Sequence, residues 1–236
     1  MTSYATSTQE PWNLVESLRY FSDWHRACRA VAICLRYKQK LRQLACFKKE
    51  RCAEPVKRHQ RPALTVQEVL SAEREILKAA QKVAFSREMG MLKPFQERQD
   101  RSSAQQKKKA MKATSSLYRL DPFLDHDRVL RVGGRIQRGH LTDGTKFPVI
   151  LPNKGHVTNL ITKYFREKVQ HQGRGMSLNE IRANGFWVIG GTSAVASKIG
   201  NCVTCRKLRG AVQEQKMSDL PEDCLEPLPP FYLLRC

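Results

Sequence analysis

The chain has 236 residues, of which 41% are hydrophobic and 27% are charged. This length allows one or two modest domains but is thin for a single large core, so we expect small units joined by linkers. Forty-two Lys and Arg residues against 22 Asp and Glu residues give a formal net charge of +20. Because such an excess attracts polyanions, we expect nucleic acid, and DNA in particular, as the partner, rather than a small-molecule substrate.

Membrane insertion and secretion are disfavoured by the same sequence. No apolar run approaches the roughly 18 to 20 residues needed to cross a bilayer, and the N-terminus does not resemble a secretory leader. Binding to a membrane surface is a weaker alternative to nucleic acid, since the basic residues are spread along the chain. The eight cysteines lack the density of a secreted disulfide scaffold and are expected to be reduced. We therefore expect an intracellular protein, located in the nucleus.

A long amphipathic helix is predicted from Trp12 to about Phe47, after a disordered segment over residues 1–11. Its apolar stripe consists of Leu14, Leu18, Phe21, His25, Cys28, Ala32 and Leu35. These positions step by three and four residues, which places them on one helix face. Trp24 and His25 are interpreted as packing residues of the core and not as site residues.

A charged, proline-interrupted stretch over residues 48–63 indicates a linker, and a second helix follows it. Thr65 is the predicted N-cap of this helix, with Glu68 completing a capping box, and the helix is expected to end near Phe85. Residues 98–112 are polar and include four lysines. A nuclear import signal, a nucleic-acid contact and a solvated linker are the three interpretations of this cluster.

The pattern changes from helical to extended after Leu120. Residues 121–127 are typical of a turn, and Val129–Val132 is predicted to be a strand that ends in a glycine bend. Phe147–Leu151 is predicted to be a second strand, so that the two form a small antiparallel sheet. Such a sheet is too small to be stable alone and should pack against a helix.

Three short helices are predicted after this sheet. The first spans Val157–Val169, the second opens with a capping box of Ser177 and Glu180, and the third is capped by Thr192 or Ser193. The expected fold is therefore mainly α with a small antiparallel β element, an α+β chain. Long helices lie at its N-terminus, and a three-helix bundle of the zinc-binding type lies near its C-terminus.

Three residues of this bundle form a candidate metal site. Cys202 and Cys205 are separated by two residues, a spacing that supplies two thiolate ligands for zinc with little backbone rearrangement. His171 follows the first helix of the bundle, and the cysteines follow the third. A single zinc ion could therefore tie together a core that is too small to hold itself. A buried or redox-active cysteine pair is the alternative interpretation.

The motifs around these residues resemble the zinc-binding domain of retroelement integrases, most closely those of BEL/Pao-type retrotransposons. The resemblance is carried by His171-Gln-Gly173, Met176–Gly191 and Cys202–Arg209. It extends upstream through Leu130–Ile136 and Phe147–Pro152, which are similar to the segment that precedes the zinc domain in that family. The chain is thus expected to be a truncated or host-retained fragment of a retrotransposon polyprotein.

The resemblance implies a division of the chain into five parts. A disordered N-terminus over residues 1–11 precedes a helical connector with basic linkers over 12–119. The small β element covers 120–152, the integrase-type zinc-binding domain covers 153–210, and a linker or tail covers 211–236.

Arg166 departs from the family pattern at the position where the first zinc-binding histidine is expected. A guanidinium stays protonated and cannot serve as that ligand. His171, Cys202 and Cys205 remain as three of four expected ligands of one zinc ion. One alternative is that His156 replaces the missing fourth ligand, although about 20 Å of helix separates it from His171. A water ligand and the loss of metal binding are the other two alternatives.

A second departure concerns catalysis. Family members continue past Pro230 and Phe231 into a ribonuclease-H-like core whose acidic residues hold two metal ions, whereas this chain stops at Cys236. The acidic residues near its end are interpreted as those of a linker. We therefore expect no catalytic residues and no integrase activity.

The function expected from the resemblance and the charge is nucleic-acid binding, or assembly with other integrase-like chains. The candidate phosphate contacts are the basic residues around the metal motif, namely Arg174, Arg182, Lys198, Arg206, Lys207 and Arg209. A protein-protein interaction module that self-associates is one alternative. A nonfunctional remnant of the retroelement is the other.

Overall fold

A computed structural model describes residues 13–50, 63–95, 115–133, 142–210 and 217–220. Residues 1–11 and 98–112, which were interpreted above, lie outside these ranges. Most of the predicted linker over 48–63 and most of the tail from 211 onward also lie outside them. No helix within the described ranges is both long enough and apolar enough to cross a membrane. The molecule is mainly helical with a small sheet, which confirms the α+β class.

The N-terminal helix is interrupted, so the prediction of one helix from Trp12 to Phe47 is wrong. A short helix α1 (Leu14–Ser17) runs into a single 3-10 turn, and α2 (Trp24–Glu50) starts afresh after it. The side chain of Asp23 accepts a hydrogen bond from the backbone N–H of Arg26 at 2.7 Å. This bond caps a new helix N-terminus, so α2 is a separate helix and not a continuation of α1.

Trp24 is buried as expected, whereas His25 is exposed, which corrects its assignment to the core. The imidazole of His25 packs edge-on against the ring of Tyr164, with 4.6 Å between the ring centroids. His25 therefore lies on the apolar stripe of the helix but packs against an aromatic ring instead of entering the core.

The second predicted helix is confirmed as α3 (Val66–Ala84), with the capping box of Thr65 and Glu68 in place. It packs along α2, and Arg36 of α2 donates a hydrogen bond to Glu68 at 2.6 Å. This bond is the main reason why the pKa of Glu68 falls to about 2, and the backbone N–H of Thr65 adds to the effect. The cap of α3 is therefore also the ion pair that fastens it to α2.

The described residues contain six further α-helices and a four-stranded sheet. The helices are α4 (Ser86–Leu92), α5 (Asp143–Lys146), α6 (His156–Lys168), α7 (Arg174–Ala183), α8 (Gly191–Gly200) and α9 (Val203–Leu208). The predicted start of α7 is wrong, because Gly173 is its N-cap and Ser177 lies inside it, buried, with its hydroxyl donating to the Gly173 carbonyl. Gly190, not Thr192 or Ser193, is the N-cap of α8.

The sheet contains β1 (Phe123–Leu124), β2 (Leu130–Arg131), β3 (Val149–Leu151) and β4 (Phe186–Val188), in that order. The predicted antiparallel pair is confirmed as β2 and β3, but among the described residues the sheet has four strands and not two. Strand β1 pairs with β2 antiparallel and uses residues that were interpreted as a turn. Strand β4 pairs with β3 in parallel, which requires the α6–α7 connection between them.

The parallel pair joins residues on both sides of the domain boundary that was predicted after residue 152. A single cluster of buried apolar side chains also runs from α2 and α3 through β3, α6, α7 and β4 to α8 and α9. The prediction of three helices in this region is incomplete, because four helices, α6 to α9, and strand β4 occur there. They are attached to the N-terminal helices through a shared core.

Candidate metal centre

The turn after α6 places His171. Gln170 and His171 both adopt left-handed backbone conformations, with φ of 51° and 60°. The N–H of His171 donates to the carbonyl of Arg166 at 2.9 Å, which closes the turn. Because such conformations are disfavoured for residues with a Cβ, the surrounding structure must hold the turn in place. The imidazole is thereby directed at the start of the helix that follows Cys202.

The two cysteines belong to the start of α9, a helix that was not predicted. Cys202 is the N-cap of this helix, and Cys205 lies in its first turn. Side chains three residues apart on a helix lie on one face, so both sulfurs face the same side. Cys205 is buried and Cys202 is partly exposed, and neither forms a disulfide.

His171, Cys202 and Cys205 converge as the sequence predicted. The Nδ1 atom of His171 lies 3.5 Å from Sγ of Cys202 and 4.0 Å from Sγ of Cys205. All three donor atoms lie within 4.8 Å of one another. A tetrahedral zinc ion with ordinary bond lengths needs nitrogen and sulfur ligands about 3.6 Å apart. The cluster can therefore hold a metal ion, and its dimensions are compatible with zinc.

His156 does not belong to this group of donors. It is the first residue of α6, and its Nε2 atom lies 2.9 Å from the carbonyl oxygen of Phe21. The length of α6 keeps it away from the turn that carries His171. The proposed substitution of the missing fourth ligand by His156 has no geometric support here.

Arg166 instead reaches the donors from the last turn of α6. One guanidinium nitrogen, Nη2, lies 3.1 Å from Nδ1 of His171 and 3.0 Å from Sγ of Cys205. The other, Nη1, donates to the carbonyl of Lys198 at 2.8 Å. The side chain is only 6% exposed, and its Nε is buried with no hydrogen-bond partner in the described part of the chain. The sequence marked Arg166 as a lost ligand but gave no sign of these contacts.

The electrostatics of the cluster favour a thiolate at Cys202. The backbone N–H of Cys205 at its sulfur is the largest influence, and the Arg166 guanidinium acts in the same direction, so that the pKa of Cys202 falls to about 6. Burial does the opposite to the distant Cys28, where it raises the pKa of the thiol to about 12. Metal ions bind the thiolate form of cysteine, so the environment of Cys202 suits metal binding better than that of Cys28.

The basic residues predicted to contact nucleic acid lie on α7, on α8 and on α9 with its C-cap. Those exposed to solvent are Arg174, Arg182, Arg206, Lys207 and Arg209. Lys198 is only half-exposed, and its carbonyl is the one that Arg166 contacts. The guanidinium of Arg182 stacks over the ring of Trp187, with 4.7 Å to the ring centroid. This contact was not foreseen from the sequence.

Comparison of the chain with models of protein families, with curated proteins and with solved structures gave no match. The resemblance to integrase zinc-binding domains therefore remains a prediction from the motifs.

Proposed function

We propose that this chain is a non-catalytic nucleic-acid-binding protein, derived from a retrotransposon, whose integrase-type domain is stabilised by one zinc ion. The observation that carries the proposal is the convergence of His171, Cys202 and Cys205 from two separated segments. The helices that bring the donors together also present exposed basic side chains. The metal would fix the helices, and the basic side chains would bind phosphates.

Zinc is the metal that this set of donors favours. Thiolate and imidazole ligands suit zinc, whereas magnesium and calcium prefer oxygen ligands. The lowered pKa of Cys202 means that little work is needed to deprotonate that ligand near neutral pH. A structural zinc contributes directly to folding, and its role here would be to join the end of α6 to the start of α9.

Nucleic-acid binding is supported by the charge of the chain and by the exposure of its basic residues. A net charge of +20 favours association with a polyanion, and each phosphate contact releases condensed counterions. Contacts of Arg and Lys with phosphates position a protein without reading the sequence. We therefore propose binding to duplex DNA with strong salt dependence and weak sequence preference, in the nucleus.

The test is a DNA-binding titration at several salt concentrations. A variant that changes Arg206, Lys207 and Arg209 to Ala should bind more weakly. The slope of log affinity against log salt should become shallower by about 2 to 3, since each phosphate contact contributes about 0.9.

The matched control changes Lys38, Lys40 and Arg42 to Ala, which removes the same charge from exposed positions on α2. We expect this control to keep most of the salt slope. Equal losses in the two variants would show that net charge alone drives binding, and would contradict an interface around α9.

Assembly is a second candidate function, and an apolar stripe on α2 favours it. Ile33, Tyr37, Leu41 and Leu44 repeat at helical spacing and are between 42% and 65% exposed. Such a stripe is typical of a helix that packs against another helix. Sedimentation of the wild type and of Leu41→Glu tests this candidate, and a wild-type monomer at high concentration would remove it.

The proposal assigns no catalytic residue. Its direct test is a strand-transfer assay with Mg²⁺ or Mn²⁺ and DNA ends. Joined product from the purified chain would overturn this part of the proposal.

A further inference from the structure

Arg166 makes contacts that a misplaced surface arginine would not make. Its guanidinium is buried and touches the side chains of both His171 and Cys205, as well as the carbonyl of Lys198. Lys198 lies in the last turn of α8, where carbonyls lack partners within the helix. A cation at that end of a helix is also favoured by the helix dipole. The guanidinium therefore links α6, α8, α9 and the His171 turn.

The hydrogen bond to His171 fixes the state of that ring. A guanidinium has only donors, so Nδ1 of His171 must accept, and the proton of the neutral ring lies on Nε2. An imidazole nitrogen has a single lone pair in the ring plane. The lone pair that receives the Arg166 hydrogen bond is thus the one that a metal ion would need.

The Cys205 sulfur is engaged in a similar way. It accepts a hydrogen bond from Nη2 of Arg166 at 3.0 Å and lies 3.7 Å from the carbonyl oxygen of His171, to which its thiol donates. Hydrogen bonds therefore engage the imidazole and one sulfur without a metal. A second cation at the same atoms would also be repelled by the guanidinium.

We propose that Arg166 is the resident cation of this site: its guanidinium holds two of the three donors, His171 and Cys205, in the metal-free chain and competes with zinc for them. The inference rests on the metal site proposed above and goes beyond it. Zinc binding through Nδ1 of His171 requires the Arg166 side chain to leave. The chain is then folded in two forms, one fastened by arginine and one by metal.

Removal of the Arg166 guanidinium should lower the metal-free stability and raise the zinc affinity. Removal of a merely structural residue would not have these opposite effects. In Arg166→Met the aliphatic bulk is largely kept and the guanidinium is lost. We expect the metal-free melting temperature to fall, since the donors lose their partner. We expect zinc affinity to rise about tenfold or more, equivalent to about 1.4 kcal/mol, since the competitor is gone.

The experiment measures both quantities on the full chain, with zinc alone as the probe. Melting temperature is recorded in excess chelator, and zinc affinity is measured by competition with a chromophoric chelator. Lys154→Met is the matched control, because Lys154 is an exposed cation just before α6. Arg166→His is a second variant, which supplies a fourth zinc ligand and should bind zinc more tightly still.

The outcomes separate this inference from the metal site itself. Higher zinc affinity and lower metal-free stability in Arg166→Met, with Lys154→Met unchanged, support the competition. Unchanged or weaker zinc binding in Arg166→Met, while the wild type binds zinc, overturns the competition and leaves the metal site standing. No zinc binding in any variant, including Arg166→His, overturns both. If Arg166→Met does not fold without metal, Arg166→Gln takes its place, since it removes the charge and keeps a hydrogen-bond donor. Zinc affinity of Arg166→Gln no higher than that of the wild type then overturns the competition.

Discussion

Gln81 is fully buried on α3, and its side chain joins that helix to two strands of the sheet. Its Nε2 donates to the carbonyls of Leu130 and Ile150, and its Oε1 accepts from the N–H of Leu130, each at 2.8 Å. Gln81→Met keeps the length of the side chain and removes all three hydrogen bonds. The change tests whether this amide fastens the sheet to the helix.

Two buried backbone groups, the N–H of Leu130 and the carbonyl of Ile150, would lose their partner in Gln81→Met, whereas the Leu130 carbonyl keeps its place in the ladder between β2 and β3. An unsatisfied buried polar group costs about 1 kcal/mol or more, so the expected loss of stability is on the order of 2 kcal/mol. For a chain of this size that corresponds to a fall in melting temperature of about 4 to 8 °C.

Thermal and urea unfolding measure this loss, with Gln67→Met as the control on an exposed position of the same helix. We expect the control to change stability by less than about 0.5 kcal/mol. Equal stability of Gln81→Met and Gln67→Met would refute the reasoning that the amide is needed.

Three further predictions concern other parts of the chain. Glu68→Gln should lower the melting temperature at pH 7. The stability of this variant should change less than that of the wild type as the pH falls below 4.5. The reason is that Glu68 has a pKa of about 2, so its contribution is complete above its ordinary pKa of 4.5 and is lost as pH falls toward 2. A wild type as acid-resistant as Glu68→Gln would contradict this. Zinc should protect Cys202 and Cys205 from alkylation. Cys28 should stay unreactive in the folded chain with or without zinc, because it is buried as a protonated thiol. Mass spectrometry of the alkylated chain measures both, and alkylation of Cys28 in the folded chain, or of Cys202 and Cys205 in excess zinc, would contradict the prediction. Gly185→Ala should destabilise by about 1 kcal/mol or more, since Gly185 has φ of 80° and a Cβ there would lie 2.9 Å from a backbone oxygen, and unchanged thermal unfolding would contradict it.

Signals in the sequence were sufficient for helix α3 and for the convergence of the donors. The capping box of Thr65 and Glu68 is a short-range pattern, and it starts α3 where it was expected. The spacing of Cys202 and Cys205 after a helix, with His171 after another, placed three donors correctly. The capping box and the spacing of the two cysteines depend on neighbours a few residues apart, which a pattern can capture. His171 and Cys202 are 31 residues apart, and their meeting was expected from the order of helices and from the family motif that the chain resembles.

Other features depend on contacts between distant segments, and the sequence did not reveal them. Phe186–Val188 is an apolar run whose strand pairing with Val149–Leu151 exists only because α6 and α7 bring the two together. Gln81 is a polar residue that would be assigned to the surface, yet it is buried because two strands supply its partners. Asp23 interrupts the apolar stripe of the first helix by capping a new one.

Arg166 shows the same limit within the site. From the sequence it could only be read as a histidine lost from the ligand set. Its contact with His171 requires the left-handed turn after α6, and its contact with Lys198 requires α8 to end beside α6. The role of this arginine therefore follows from packing and not from the motif.

The zinc content of the purified chain, measured after equilibration with zinc and removal of the excess, tests the metal centre most directly. We expect about one zinc per wild-type chain, from three protein ligands. Cys202→Ser and Cys205→Ser should lose it, and Cys34→Ser, which changes an exposed cysteine on α2, should keep it. A folded wild type without zinc, or Cys202→Ser with an unchanged zinc content, would contradict a metal site at His171, Cys202 and Cys205.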